Sequence, residues 1–206
     1  MFIKKSFVCA AIAASAFAAQ AQNIVVNGSF EQVSAGNTQN GGTWNIYNTI
    51  TGWNGTPNIE VRDAVAGNAQ QGSNYVELDT TNNSGMFQTV TGSGWYQLSF
   101  WYSARMNVPA GSNGLGFTFG SLSGQVLANV AGSPSGNVWQ QYTGLVLLNG
   151  PTSLMFHASG ISDSLGGSLD NVSVTAAVPE PESYAMMLAG LALMGTIARR
   201  RKSKAA

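Results

Sequence analysis

Tryptophan and arginine are the residues of this chain whose types and placement best fit the recognition of a sugar. Sugars dock on exposed aromatic rings, while a few polar groups fix their orientation by bonding the hydroxyls. We predict a ligand-binding set formed by Trp44, Trp53, Trp101, Arg62 and Arg105. Trp44 and Trp53 lie in loop-rich sequence, where rings would be exposed, and the arginines could clamp acidic sugars. Most tryptophans of a packed β-domain fill its core, so a structural role stays open for each.

Glu77 and Asp79 form the carboxylate pair whose spacing could support hydrolysis. Two residues apart on a strand, they share one face at a separation of about 7 Å, which falls within the range of inverting glycoside hydrolases. Two acids on one strand are more often simply solvated. We therefore expect Val76 and Leu78 to face the core and the two acids to face solvent. A hydrolase that depends on Glu77 stays open as an alternative.

The scarcity of charge excludes several other classes of function. Only 9% of the 206 residues are charged, and the chain has one His and one Cys. Between residues 22 and 177, two arginines stand against seven acids, so the net charge of this part is near −5. A nucleic-acid-binding surface needs a basic patch, so we expect no nucleic-acid partner. Zinc, copper and iron sites of the usual kinds need clusters of His and Cys, which this composition does not supply.

Short apolar runs between turn residues predict that residues 22–177 form an all-β domain. Gly, Asn, Ser and Thr separate the runs about every eight to twelve residues, which is typical of a sandwich or barrel. The clearest strand is 95–104, where Tyr96 and every second residue after it form an apolar face. Further strands are predicted at 23–26, 58–61, 75–79, 85–90, 115–119, 125–130, 138–148, 153–158 and 168–175. About ten strands without a helical pattern predict a two-sheet antiparallel, jelly-roll-like sandwich.

Residues 1–21 have the features of a secretory signal peptide. Two lysines precede a short apolar run at 6–18, and Ala-Gln-Ala at 19–21 is a cleavage pattern. We expect export through the Sec machinery and cleavage by signal peptidase, which would leave Gln22 as the first residue. An uncleaved N-terminal anchor is the alternative. Cys9 would be removed with this peptide, so the mature protein would contain no disulfide.

The C-terminal residues 178–206 resemble the PEP-CTERM sorting signal. They contain the motif Pro179-Glu180-Pro181, then an uncharged apolar segment at 183–198. A basic end follows, formed by Arg199, Arg200, Arg201 and Lys202. Sixteen helical residues reach about 24 Å, which is short of a hydrocarbon core of about 30 Å, and the basic end would stay cytoplasmic. A single C-terminal membrane helix in the precursor is therefore expected, and a plain tail anchor is the alternative.

The resemblance to PEP-CTERM proteins implies a partner and a location. The partner is an exosortase, a membrane protease that cuts near the Pro-Glu-Pro motif. The protein would be anchored transiently in the inner membrane of a Gram-negative bacterium that makes extracellular polysaccharide. Its final place would be the cell envelope or the extracellular space.

The two ends of the β-domain resemble galactose-binding-like jelly rolls, the fold of many carbohydrate-binding modules. Residues 24–31 read Ile-Val-Val-Asn-Gly-Ser-Phe-Glu, and residues 167–174 read Gly-Ser-Leu-Asp-Asn-Val-Ser-Val. In those modules a structural calcium ion ties the first strand to the last, and the residues that match its ligands are Glu31 and Asp170. Calcium takes six to eight oxygen ligands from carboxylates and carbonyls. The alternative is that both are ordinary surface or turn carboxylates.

Together these features predict an exported, exosortase-processed envelope or matrix protein that binds extracellular polysaccharide without catalysis, linked to exopolysaccharide and biofilm. A passive structural or adhesion protein without a defined glycan ligand remains an alternative. A glycoside hydrolase is a further alternative, against which the shortage of titratable residues counts.

Overall fold

A computed structural model of the chain describes residues 22–33 and 42–177, together with Gly190, Leu191 and Met194, which are helical. The predicted signal peptide, the Pro179-Glu180-Pro181 motif and the basic end at 199–202 lie outside the described residues. Among the described residues, no helix is long and apolar enough to cross a membrane. The strands lie within a compact unit that spans Ala21–Ala177.

Eight strands are present in the described ranges, and all of their pairings are antiparallel. In chain order they are β1 (Thr43–Ile50), β2 (Trp53–Asp63), β3 (Asn74–Glu77), β4 (Gly85–Ser103), β5 (Leu115–Phe119), β6 (Leu122–Val126), β7 (Gln140–Ala158) and β8 (Ser168–Ala176). Hydrogen-bonded neighbours follow the order β1-β2-β3-β8-β4-β7-β5-β6, and β2 also pairs with β4. The prediction of an antiparallel all-β domain is confirmed.

The two longest strands make a ribbon that folds over on itself. β4 and β7 have 19 residues each and pair along almost their whole length. Phe100 pairs with Tyr142 at one end of the ribbon, while Phe156 pairs with Met86 near the other end. The rings of Phe100 and Phe156 nevertheless lie 5.0 Å apart. The inner faces of the two ends therefore meet, and the sheet forms the two layers of a sandwich around one core.

The fold of this ribbon explains where the predicted strands were too short. β4 was predicted as two strands, and so was β7, because glycines interrupt their apolar runs. In the structure Gly92 pairs with Gly150 across the ribbon, and Gly94 and Gly150 have positive φ values of 106° and 124°. Glycine adopts such angles without strain, so these residues bend a continuous strand rather than end it.

Strand alternation sets the core as predicted, because Leu98, Phe100, Val76 and Leu78 are all buried. The opening residues 23–26 do not form the predicted strand and contribute one isolated bridge, from Asn23 to Thr175. β1 lies in sequence that was predicted to be a loop.

Trp53 belongs to the core, and its prediction as an exposed sugar platform is wrong. Only 1% of its surface is exposed, and its ring packs against Phe30 and Phe156 at centroid distances of 5.8 and 6.1 Å. The physical reason is an irregularity in the pairing of β1 with β2, beyond which the first residues of β2 pair with β4 instead of β3. This part of β2 lies in the layer that contains Phe156, and the Trp53 ring is directed into the core between the two layers.

The two ends of the domain lie side by side. The N–H of Val172 donates to the carbonyl of Gly28 at 2.8 Å, and the N–H of Val174 donates to Asn23 Oδ1 at 2.9 Å. A Cβ atom at Gly28 would lie 1.9 Å from the carbonyl oxygen of Val172, so this approach requires glycine.

Candidate functional site

One face of the sheet points away from the core and carries charged residues at its β1–β3 end. Trp44 on β1 pairs with Arg62 on β2, and Glu60 on β2 pairs with Glu77 on β3. These four residues alternate with core residues such as Val61, so their side chains lie on the outer face. We call this region, defined by Trp44, Glu60, Arg62 and Glu77, the charged half of the outer face.

Loops cover the charged half and bury part of it. Arg105 Nη1 donates to Glu77 Oε2 at 3.1 Å and to the carbonyl of Ser164 at 2.8 Å. The N–H of Gly166 donates to Glu77 Oε1 at 2.6 Å, and the N–H of Asp163 donates to Asp79 Oδ2 at 2.8 Å.

The expectation that Glu77 and Asp79 face solvent is therefore wrong, because both are completely buried. They do lie on the face opposite to Val76 and Leu78, as the alternation indicates. What buries them is a cover of loops from distant parts of the sequence.

The charged half contains a compact ion-pair network. Arg62 Nε donates to Glu60 Oε1 at 2.6 Å, and Arg62 Nη2 forms a second ion pair with Glu77 Oε2. Arg105 adds a second guanidinium group to Glu77. Arg62 is almost fully buried, and its Nη1 atom has no hydrogen-bond partner. Two carboxyl groups and two guanidinium groups thus share one small region, which fixes their side chains.

Burial and charge act in opposite directions in this network. Burial raises the pKa of Glu77 to about 8, although Arg62, Arg105 and the N–H of Gly166 lower it. Burial alone would lower the pKa of Arg62, but the neighbouring Glu77 and Glu60 outweigh it and raise that pKa. Arg62 therefore stays charged and holds its donors in place.

A cleft of about 230 Å³ opens beside this network. Its lining includes Trp44, Ile46, Glu60, Arg62, Thr80 and Arg105. The structure thus brings together three of the five predicted ligand residues: Trp44, Arg62 and Arg105. Trp44 is 55% exposed, so an aromatic ring is accessible next to fixed hydrogen-bond donors and acceptors.

The other two predicted residues lie elsewhere. Trp53 is in the core, and Trp101 does not line the cleft. Trp101 is half-buried farther along the outer face, where it pairs with Gln141 and Asp170. Glu60 was not predicted to belong to the site. Its position two residues before Arg62, in alternation with Ile59 and Val61, is a sequence signal that could have identified it.

Glu31 and Asp170 hold the same loop, residues 70–74, from two sides. Glu31 Oε1 accepts the N–H groups of Ser73 and Asn74, both at 2.9 Å. Asp170 Oδ2 accepts those of Gln70 and Gln71 at 2.7 and 2.9 Å. Burial raises the pKa of Asp170 to about 7 against the lowering effect of its N–H donors, and the charge of Glu31 adds to the rise.

The oxygen atoms around this loop are of the types that bind a hard cation such as calcium. Asn74 Oδ1 is buried without a hydrogen-bond partner, so the loop held by Glu31 and Asp170 also contains an unpaired amide oxygen. Gly72 has a φ of +70°, and a Cβ atom there would lie 2.2 Å from Glu31 Oε1, so the loop approaches the carboxylate as closely as glycine allows. Within the described ranges, no three His, Cys, Asp or Glu side chains gather around one metal position. A calcium ion here would need Glu31, Asp170 and neutral oxygens.

Comparisons with known proteins give fold neighbours. No curated protein matches the chain. Among solved structures it is similar to the module TmCBM61 in complex with β-1,4-galactotriose, with 15% identity and a TM-score of 0.43, covering 75% of this chain and 99% of that one. It is also similar to CBM35 from Paenibacillus barcinonensis, with 21% identity and a TM-score of 0.40, covering 66% of this chain and all of the other.

A third neighbour is part of an enzyme. The arabinose-bound MgGH51 α-L-arabinofuranosidase has 12% identity and a TM-score of 0.44, and the similarity covers 74% of this chain and 26% of that one.

The C-terminal segment has a separate match, to a family model. Residues 177–202 match the PEP-CTERM protein-sorting motif, so the resemblance of the C-terminal segment is confirmed and the motif indicates an exported protein.

Proposed function

We propose that this chain is an exported, non-catalytic protein that binds extracellular polysaccharide in the cleft of the charged half. The observation that carries the proposal is the meeting of Trp44 with Arg62 and Arg105 in one cleft. An accessible aromatic ring and convergent polar groups are the two components of a sugar site.

The charged groups of the cleft are fixed before a ligand arrives. Arg62 is held by Glu60 and Glu77, and Arg105 by Glu77 and the carbonyl of Ser164. A sugar that docks on Trp44 would meet donors and acceptors whose side-chain entropy has already been lost on folding, which favours binding. Glu77 serves this network as the shared carboxylate of two guanidinium groups, a role that does not require proton transfer.

A calcium ion bound through Glu31 and Asp170 is part of the proposal. The ion would supply the positive charge that neither carboxylate receives from the N–H groups of the 70–74 loop. These residues would then hold the loop against the joined ends of the domain. The role of the calcium ion would be structural, since neither Glu31 nor Asp170 lines the cleft beside Trp44.

The C-terminal segment is proposed to direct processing by an exosortase after Sec-dependent export. The apolar segment at 183–198 would anchor the precursor in the inner membrane of a Gram-negative bacterium, and cleavage near Pro179-Glu180-Pro181 would release the domain to the envelope or matrix. Binding of the polysaccharide made by the same cell would link the protein to the biofilm.

The experiment is a binding screen of the full chain, purified in detergent, against a glycan array and the extracellular polysaccharide of its host. We expect saturable binding that falls at least tenfold in Trp44→Ala, because the ring supplies most of the contact surface. The matched control is Trp95→Ala, which removes an equally exposed tryptophan at the other end of the outer face and should bind normally.

Absence of binding to every glycan, with circular dichroism showing a folded chain, would overturn the proposal. A passive structural or adhesion role would then be the better interpretation. Release of reducing ends that is lost in Glu77→Gln would support a hydrolase instead. Equal losses in the Trp44 and Trp95 variants would show that the cleft is not the binding site.

A further inference from the structure

The outer face has a second half with a different composition. Trp95 on β4 pairs with Leu147 on β7, and Gln97 pairs with Leu145. Trp95, Leu145 and Leu147 are 57%, 56% and 47% exposed. We call these three residues the apolar half of the outer face. Exposed apolar side chains that stand next to one another indicate a contact surface, whereas isolated ones do not.

The surroundings of the apolar half carry no charge. The outward positions of β4, β7 and β8 around it hold only uncharged side chains: Gln97, Ser99, Gln141, Thr143, Asn149, Ser173 and Thr175. No carboxylate therefore stands at these positions, where it would repel an anionic partner in contact with this surface. A surface with Trp and Leu at its centre and neutral polar residues around it resembles in composition the residues that proteins place at a membrane–water interface.

The chain leaves the domain beside this surface. Tyr96 pairs with Ala176, and the N–H of Ala177 donates to the carbonyl of Trp95 at 2.8 Å. The apolar segment begins at residue 183, so only residues 178–182 connect the domain to it. Five residues span at most about 18 Å when fully extended. If the apolar segment enters a bilayer, Trp95 must lie close to the membrane surface.

We propose that the apolar half docks on the membrane surface while the precursor is anchored by its C-terminal segment. Trp95, Leu145 and Leu147 would insert their side chains at the level of the lipid headgroups. This proposal rests on the anchoring proposed above but not on polysaccharide binding.

Docking would have a consequence for processing. It would hold the connection at 178–182, which includes Pro179-Glu180-Pro181, at the bilayer surface where a membrane protease works. The charged half lies at the other end of the same sheet face, separated from β4 by β8. Cleavage would remove the tether, and three side chains alone give only weak, reversible binding to a membrane.

The absence of cysteine after Cys9 gives a direct test. We would prepare the full chain with Cys9→Ser and add Leu147→Cys, labelled with the environment-sensitive dye NBD. The chain would be reconstituted into vesicles of phosphatidylethanolamine and phosphatidylglycerol. The matched control is Thr118→Cys with the same label, an exposed position on β5 in the other layer.

We expect the NBD fluorescence at position 147 to rise several-fold on reconstitution and to be quenched by brominated lipid. The signal at position 118 should stay unchanged. Fluorescence at 147 that equals the value at 118, in chains that float with the vesicles, would overturn docking and leave anchoring intact.

Chains that do not float with the vesicles would overturn anchoring and docking together, while glycan binding could still be measured. A rise at 147 that grows with the density of chains in the vesicles, without quenching by brominated lipid, would show contact with a second copy and overturn the bilayer as partner. Trp95→Phe gives an independent reading, since docking predicts that it lowers quenching of the intrinsic tryptophan fluorescence by brominated lipid. Trp44→Phe should not lower it.

Discussion

Trp44 and Trp95 are exposed to almost the same extent, 55% and 57%, and lie on the same face of one sheet. Their neighbours differ in every respect. Trp44 is paired with the buried Arg62, whereas Trp95 is paired with the exposed Leu147. Exposure alone therefore does not assign a role to a surface tryptophan. The groups beside it decide whether a polar ligand or an apolar surface fits.

The difference between the two halves comes from the loops. The loop segments that contain Arg105 and Gly166 cover the charged half and bring a cation and an N–H group to Glu77. Nothing among the described residues forms such a cover over Trp95, Leu145 and Leu147, which remain exposed. Buried charges need partners, so the covered half depends on its ion pairs and the open half does not.

Arg62→Met should give the largest loss of stability, because it removes an ion-pair partner from the covered half. The substitution leaves Glu60 and Glu77 without their common partner in a buried region. Removal of one member of a buried ion pair costs about 3–5 kcal/mol. We expect a loss of this size in the free energy of unfolding, measured by denaturant titration with circular dichroism.

A triple variant controls for a simple failure of Arg62→Met to fold. Combining it with Glu60→Gln and Glu77→Gln removes the unpaired charges and should recover much of the lost stability. No recovery would show that packing of Arg62, rather than its charge, is what the domain needs.

Binding of the proposed calcium ion has the second-largest expected effect, and it would distinguish two kinds of buried carboxylate. Glu77 is paired with arginines, whereas Asp170 has backbone N–H donors. Calcium at a hundred times its dissociation constant should stabilise the domain by about 2.7 kcal/mol. A chelator should reverse the shift in thermal unfolding.

Asp170→Asn should abolish the response to calcium, while Asp163→Asn, at an exposed carboxylate, should keep it. A wild-type chain that is indifferent to calcium would show that Glu31 and Asp170 only hold the 70–74 loop.

Arg105→Met should have a smaller effect on stability than Arg62→Met. The Arg105 side chain is 19% exposed, and Glu77 would keep Arg62 and the N–H of Gly166. We expect a loss of about 1–2 kcal/mol in the free energy of unfolding. Affinity for polysaccharide, measured by isothermal titration calorimetry, should also fall, because Arg105 lines the cleft. An unchanged affinity would remove Arg105 from the site.

Gln97→Glu gives the smallest expected effect on folding. Gln97 is exposed and lies opposite Leu145, so a carboxylate there should change stability by less than about 0.5 kcal/mol. It should nevertheless reduce the NBD signal at position 147 on vesicles that contain phosphatidylglycerol, because like charges repel. The same substitution at Thr118, in the other layer, should not change that signal.

Much of the fold could be predicted from local alternation. The apolar face of 95–104 and the inward positions Val76 and Leu78 are confirmed, because each depends on residues close in sequence. The alternation of 58–61 does not extend back to Trp53, because Pro57 is exposed and the register is irregular between them, so the burial of that ring could be seen only in the structure. The predicted strands end near Gly92 and Gly150, whereas the strands of the structure continue through both residues. Glycine permits a bend within a strand as well as a turn at its end.

The burial of Glu77 could not be predicted from its strand. The groups that cover it are Arg105, 28 residues away, and Gly166, 89 residues away. Alternation identifies the face of the sheet on which a side chain lies, but the path of distant loops determines whether that face is exposed to solvent. The sequence placed Trp44, Arg62 and Arg105 in one predicted set with two further tryptophans, and the structure was needed to show which members of that set line one cleft.

The position of β8 determines how the domain responds to mechanical force. The tail leaves from the end of β8, which lies between β3 and β4 and forms seven residue pairs with β4. A pull on the tail acts along this strand, so its hydrogen bonds are loaded in shear and share the tension rather than opening one after another. If the proposed anchoring holds, flow or a moving polymer would load β8 in this way for as long as the chain is tethered, and the domain would resist the extraction of its last strand.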